Sequence, residues 1–160
     1  DADITVVLTR KTPKGRKVAR LFPIRYVPVC NQTKIDQDQT GDQNALRVLN
    51  NSTLLLHKAR PHAWKYWAEN AGLAELKPKK IIYVDSMFSL ARAAEQGVGI
   101  ALIPLPVSKD WLESGSLIPV HTKHLVTEDF YWILINGNSS KRKAALVFFQ
   151  WMLEKFQKYR

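Results

Sequence analysis

Hydroxyls that could act as nucleophiles stand at Ser86, Ser89, Ser108, Ser114, Ser116, Ser139 and Ser140, but none sits in the Gly-x-Ser-x-Gly elbow that thrusts a serine out of a strand-to-helix turn. Gly97-Val-Gly99 has the first two glycines of a dinucleotide fingerprint. It continues to Leu102 where that fingerprint needs glycine, and it precedes an apolar run where the fingerprint must follow one, so it reads as a tight turn. His121-Thr-Lys-His124 with Cys30 is the nearest thing to a metal set. Two histidines without further ligand spacing read instead as solvated side chains. Cys30, the only cysteine, has no resolving partner and reads as a small residue packed inside. The residues therefore suggest neither an enzyme nor a cofactor or metal site.

Anion binding has a better basis. Val84 to Pro104 writes a strand, a capped helix, a glycine stop and a second strand within about twenty residues. Asp85 and Ser86 can cap orphan amides, while Met87, Leu90, Ala91 and Ala94 recur at i, i+3, i+4 and i+7 and give one apolar face. Gly97 supplies a left-handed stop, and Pro104 is expected to end the hydrogen-bond ladder of the strand Ile100 to Ile103. A second helix start lies at Arg60 to Ala63, with Pro61 suited to a first helical position. Trp64, Trp67, Ala68 and Ala71 form its buried stripe. Helix starts present unpaired amides and partial positive charge, which suit carboxylates and other anions.

The remaining elements follow the same alternation. Strands are expected near 3–9, 21–30, 53–57, 81–84, 98–103, 117–120 and 130–135. Helices are expected near 42–49, 61–71, 86–96, 107–114 and 142–158, the last with Ala145, Phe148, Phe149, Met152 and Phe156 on one face. Gln32 to Gln43 reads as a loop and Asn136 to Ser140 as a turn. This order argues for an α/β fold with largely parallel sheets. With 160 residues, 46% of them hydrophobic, the chain can bury a sizeable core, and no apolar run approaches the ~20 residues of a membrane span. A single cysteine excludes an internal disulfide framework and favours a reducing compartment.

The formal net charge of +10 is the footprint of a nucleic-acid binder, but the cations cluster in Arg10 to Arg20, Lys77 to Lys80, Lys141 to Lys143 and the C-terminal Lys155, Lys158 and Arg160. No aromatic residues interleave with them as a base-stacking platform requires. They read as solvated loops and helix ends, with long-range attraction to DNA as a secondary role.

Several segments resemble, in order, the effector-binding domain of LysR-type transcriptional regulators. Asp1-Ala-Asp-Ile4 resembles its "D-a-D-i" strand, and Pro28-Val-Cys30 its "P-V-C-S" crossover. Leu54-Leu-Leu-His57 with Trp64-Lys-Tyr-Trp67 resembles "L-L-h…W-x-x-W", and Gly97 to Pro104 resembles "G-x-G-I-A-L-x-P". Trp111 to Leu117, Phe130-Tyr-Trp132 and Phe149 to Leu153 resemble the family's later motifs, and the tryptophan content suggests the branch of glycine-cleavage and beta-lactamase activators.

The resemblance implies a two-lobe, type 2 periplasmic-binding-protein-like α/β fold, with residues 1–29 and 122–160 in lobe I and 30–121 in lobe II. It implies a cytoplasmic homo-oligomer that binds a small anionic effector between the lobes and meets promoter DNA through a helix-turn-helix. That helix-turn-helix and the first strand–helix unit of lobe I are not in this sequence, so it reads as a fragment. The effector residues so implied are Thr9, Arg10, Cys30, Asn31, Arg60, His62, Ser86, Met87 and Tyr131. A lobe I without its first unit should leave Val6, Leu8, Ile133 and Ile135 uncovered. A transport solute-binding protein of the same architecture is the alternative.

Overall fold

The computed structural model describes residues 2–34, 41–137 and 143–159, and these divide into two compact units. Unit 1 is Asp1–Ile24 with Val126–Arg160, and unit 2 is Arg25–Leu125. Strand β2 (Lys17–Cys30) runs from the first into the second, and β7 (Leu125–Ile135) starts at the return. Parts of the expected loop at 32–43 and turn at 136–140, and Ser139, Ser140, Lys141 and Arg160, fall outside the described residues.

Unit 2 is built on three parallel strands, β4 (Lys80–Val84), β3 (Thr53–His57) and β5 (Ile100–Leu105), with β3 between the other two. β2 joins antiparallel to β5, and the two-residue β6 (Ile118–Pro119) pairs with β2. Side chains alternate across a strand, so Leu55 goes to one face and Leu54 and Leu56 to the other, and all three are buried. On the Leu55 face, α3 (Met87–Glu95) delivers Leu90, Ala91 and Ala94 into a core with Val27, Val29, Ala101, Ile103 and Leu117. Opposite, Leu56 lines a groove with Trp64 and Ala68 of α2 (Ala63–Ala71). Both faces of β3 and β5 are thereby covered, as continuous apolar runs require, while β4 at the sheet edge leaves Ile81 and Tyr83 exposed. Helices α1 (Asp42–Asn51) and α4 (Lys109–Glu113) complete the unit.

Two glycines in unit 2 are fixed by geometry. Gly97, at φ 76°, turns the chain out of α3 in the left-handed region as its sequence position foretells. A Cβ on Gly99 would stand 2.3 Å from the Thr53 carbonyl oxygen, so this residue lets β5 lie against β3.

Unit 1 has the strand order β1-β7-β2, with β1 (Ile4–Thr9) antiparallel to β7 from Ile4 opposite Ile135 to Thr9 opposite Phe130. Helix α5 (Lys143–Lys155) buries only Ala145 and Phe149.

The structure corrects several expectations. β5 passes through Pro104, which sits opposite Tyr26, and ends at Leu105: the antiparallel register with β2 tolerates a residue without an N–H there. Pro61 precedes α2, which begins at Ala63 after the turn closed by Ala63 N–H to the Arg60 carbonyl. Among the described residues the parallel pairings are those of β4, β3 and β5, while β1 with β7 and β2 with β5 and β6 are antiparallel, so the sheet is less parallel than expected. Ile133 and Ile135 are fully buried, against expectation, whereas Val6 is 45% exposed and Leu8 half-buried, as expected; further uncovered apolar surface of unit 1 lies on α5, where Phe148 is exposed and not part of the buried face.

Candidate functional site

The shared direction and register of β4, β3 and β5 bring Val84, His57 and Leu105 to one edge of unit 2, the carboxyl ends of the parallel strands. Crevices outside such ends are where open α/β sheets bind ligands. Helix α3 starts directly after β4. Its cap, Ser86, is extended (φ −124°, ψ 128°), and its Oγ accepts the Ser89 N–H at 3.3 Å. The Met87 and Phe88 amides, one turn too early for an intrahelical acceptor, are left for water or a ligand. α2 starts from the same edge without a side-chain cap at His62.

Cationic groups join these amides. Arg60 places its guanidinium carbon 5.7 Å over the Tyr26 ring. Arg25 and Tyr26 reach the edge because β2 pairs them with Leu105 and Pro104. Lys58 stands 3.9 Å from the Asp85 carboxylate. His57 ties two strand ends together: its Nδ1 accepts the Ala59 N–H at 3.2 Å, and its Nε2 lies 2.9 Å from the Asp85 carbonyl oxygen. A nitrogen that accepts carries no proton, so it is Nε2–H that donates to the Asp85 carbonyl. The pKa of His124 is lowered, first by burial and then by the positive charge of Arg25.

The residues implied by the resemblance separate into three groups. Arg60, His62, Ser86 and Met87 come together at the carboxyl-end edge. Cys30 and Asn31 lie at the other end of α3: β2 runs against β5, so Val29 pairs with Ala101 while Arg25 pairs with Leu105. Asn31 Nδ2 donates to the Glu95 carbonyl at 3.2 Å, on the last residue of α3, about 13 Å along the helix from Ser86. Asn31 thus closes a helix C-terminus, and Cys30 is fully buried beside β6. Thr9, Arg10 and Tyr131 belong to unit 1. The Thr9 carbonyl accepts the Trp132 indole N–H at 3.0 Å. Arg10 Nε donates to Asp129 at 3.1 Å and a second nitrogen lies 3.6 Å from Glu128, so its charge is already answered. Tyr131 packs its ring 5.1 Å from Phe22.

Arg25, Tyr26, His57 and Lys58 were not singled out by sequence reasoning. His57 carries a local signal, a polar residue closing the apolar strand Leu54 to Leu56. Arg25 and Tyr26 carry none, since only the long-range register of β2 on β5 brings them to the edge. Trp64 and Trp67 are core residues as their spacing foretells, the first donating to the Leu55 carbonyl and the second to that of Lys123. His121 has both ring nitrogens engaged, with the Lys123 N–H and the Asp42 carboxylate.

Comparison with known proteins gives the family of this two-unit α/β chain. The LysR substrate binding domain model matches residues 1–157, and the chain belongs to that family. It is 33% identical over 106 residues to the HTH-type transcriptional regulator TrpI of Pseudomonas aeruginosa, covering 66% of this chain and 35% of that protein. It is 33% identical over 102 residues to the HTH-type transcriptional activator AmpR of the same organism, covering 62% and 34%. The chain thus spans about a third of the length of these curated relatives. The solved effector domain of that AmpR is similar at TM-score 0.75 and 25% identity, over 97% of this chain and 72% of the other. The AmpR effector binding domain from Citrobacter freundii shares the fold at TM-score 0.75 and 22% identity, over 98% and 75%. Among the described residues no helix is long and apolar enough to cross a membrane.

Proposed function

We propose that this chain is the sensing part of a cytoplasmic LysR-type transcriptional regulator, which binds a small anionic effector and assembles as a homo-oligomer. It meets promoter DNA through a helix-turn-helix carried elsewhere in the same protein. In this reading residues 30–121 form the sensing lobe and residues 1–29 with 122–160 the other. No catalytic step is involved.

The observation that carries the reading is the convergence at one edge of unit 2 of the Ser86-capped start of α3 and the Arg60 guanidinium. An effector carboxylate there would accept from the Met87 and Phe88 amides and face the positive end of α3, interactions that strengthen where water is excluded. Arg60, braced on Tyr26, would supply a charge-assisted bond. Signalling requires that the effector bind two conformations of the domain unequally, because equal affinity shifts no population.

Calorimetric titration with a panel of amino acids, short acidic peptides and simple carboxylates tests the reading. At least one member should bind, and Ser86→Glu should weaken it about tenfold or more, because the new carboxylate occupies the amides and repels the ligand. Unchanged affinity in that variant places the pocket elsewhere.

A further inference from the structure

The positive charge is not spread evenly. Unit 1 holds twelve Lys and Arg against five Asp and Glu in 59 residues, whereas unit 2 holds twelve against nine in 101. Half of the unit 1 cations, Arg10, Lys11, Lys14, Arg16, Lys17 and Arg20, fall in one stretch of eleven residues that contains no acid.

That stretch is a strap with fixed supports. β1 and β2 are not neighbours; both flank β7, so the connection between them must pass over β7 from the Phe130 end to the Ile135 end. Gly15 is pressed onto Leu134 there, since a Cβ on it would meet the Leu134 side chain at 3.0 Å, and Arg16 N–H donates to the Ile135 carbonyl at 3.1 Å. Lys17 Nζ lies 4.9 Å over the Phe149 ring. The Arg20 guanidinium is 4.4 Å over Phe130 and 4.9 Å over Trp132. Among the described residues only Arg10 of the six meets a carboxylate. Lys11, Lys14, Arg16 and Lys17 are exposed, on a backbone pinned to β7 at Gly15 and Arg16 and entering β2 at Lys17. Such cations lose less freedom on binding than those of a loose loop.

We propose that this strap is a docking surface for the phosphate backbone of DNA, distinct from the effector edge of unit 2. It follows about five residues of β7, roughly 17 Å, a length over which a duplex carries about ten phosphates, about half of them on the side it would face. A run of cations at this density matches a polyphosphate better than isolated carboxylates of a protein partner. The nearby rings of Phe130, Trp132 and Phe149 are covered by Arg20 and Lys17, which leaves no stacking platform for bases. Contact is therefore to the backbone and carries no sequence preference. In a regulator it would hold the sensing domain against DNA flanking the operator; this part of the inference rests on the proposed function.

The test is fluorescence anisotropy of the 160-residue chain with a short duplex of random sequence, titrated across salt concentrations. The wild-type chain should bind weakly at low salt, with log K falling linearly in log salt. The K11Q/K14Q/R16Q/K17Q variant should lose more than tenfold in affinity, and its salt slope should flatten by about 3 to 4. K77Q/K79Q/K80Q, which removes an equally exposed cluster of unit 2, should change the slope little. Circular dichroism of both variants checks that the fold is kept. Equal losses in the two variants, or an unchanged slope in the first, would overturn the proposal. So would polyglutamate binding the strap as tightly as DNA at equal charge, which would point to an acidic protein. Effector titration of the strap variant should match wild type, so failure of this proposal and failure of the sensing role are read separately.

Discussion

Unit 2 closes its own core and unit 1 does not. In unit 2, β3 and β5 are buried on both faces, and Trp67, Leu90, Ala91, Ala94, Ile100 and Ile103 are without exposed surface. In unit 1, no residue of β1 is fully buried, and α5 turns Leu146, Val147, Phe148 and Trp151 outward, the last two rings lying 5.6 Å apart. A helix that is apolar on its outer face as well as its inner one is suited to being covered on both. The difference fits the division of tasks proposed above: a well-packed unit that would hold the effector, and a unit whose surface, apolar on one element and strongly basic on another, would meet other molecules.

The largest contrast should come from two tryptophans. Trp67→Ala, which empties a fully buried site and strands the Lys123 carbonyl, should cost about 3–5 kcal/mol in urea denaturation. Trp151→Ala, at a site 50% exposed, should change stability by less than about 0.5 kcal/mol. Similar costs would erase the distinction between the units.

Next comes association. The isolated chain should self-associate through the outer face of α5, and Val147→Ser with Trp151→Ser should move it toward monomer in sedimentation velocity. Hydrogen exchange should find unit 2 amides better protected than those of unit 1. A monomeric wild type with equal protection in both units would contradict this.

A smaller effect is expected at the α3 cap. Ser86→Ala removes the acceptor for the Ser89 N–H and should cost about 1 kcal/mol, within unit 2 only.

The smallest effect is one of pH. The folded-state pKa of His124 lies below the ordinary value of 6.5, so the unfolded chain binds its proton more tightly. Its contribution to stability is complete above about pH 6.5 and is lost as pH falls through that value toward the folded one. His124→Gln should flatten this part of the stability profile. Because the group is only half-buried, the change should be modest, and a steeper acid loss in the variant would refute the assignment.

Much of unit 2 was legible because its signals are local. The cap at Ser86, the 3.6-residue stripe of α3, the stop at Gly97 and the tryptophan stripe of α2 are each written within a dozen residues. What failed was what pairing decides. Pro104 was read as a strand end because a lone sequence does not say which neighbour would need its N–H. The chain order does not say that antiparallel β2 carries Asn31 to the far end of α3 from Ser86, nor that it brings Arg25 and Tyr26 to the carboxyl ends of the parallel strands. The uncovered surface of unit 1 is legible at Val6 but not at Ile133 and Ile135: alternation along β7 cannot tell whether a strand face is covered, and the outer face of α5 adds apolar surface of its own.

The central claim is that the Ser86-capped start of α3 and Arg60 receive an anionic effector. Amide chemical shifts of the 15N-labelled chain, followed while the panel of amino acids, short acidic peptides and carboxylates is added, test it most directly. A binding member should move the Met87 and Phe88 amides first and most, and Ser86→Glu should sharply reduce those shifts at the same ligand concentration while the rest of the spectrum is retained. Saturable shifts confined to residues away from this edge, with Met87 and Phe88 unmoved, would contradict it.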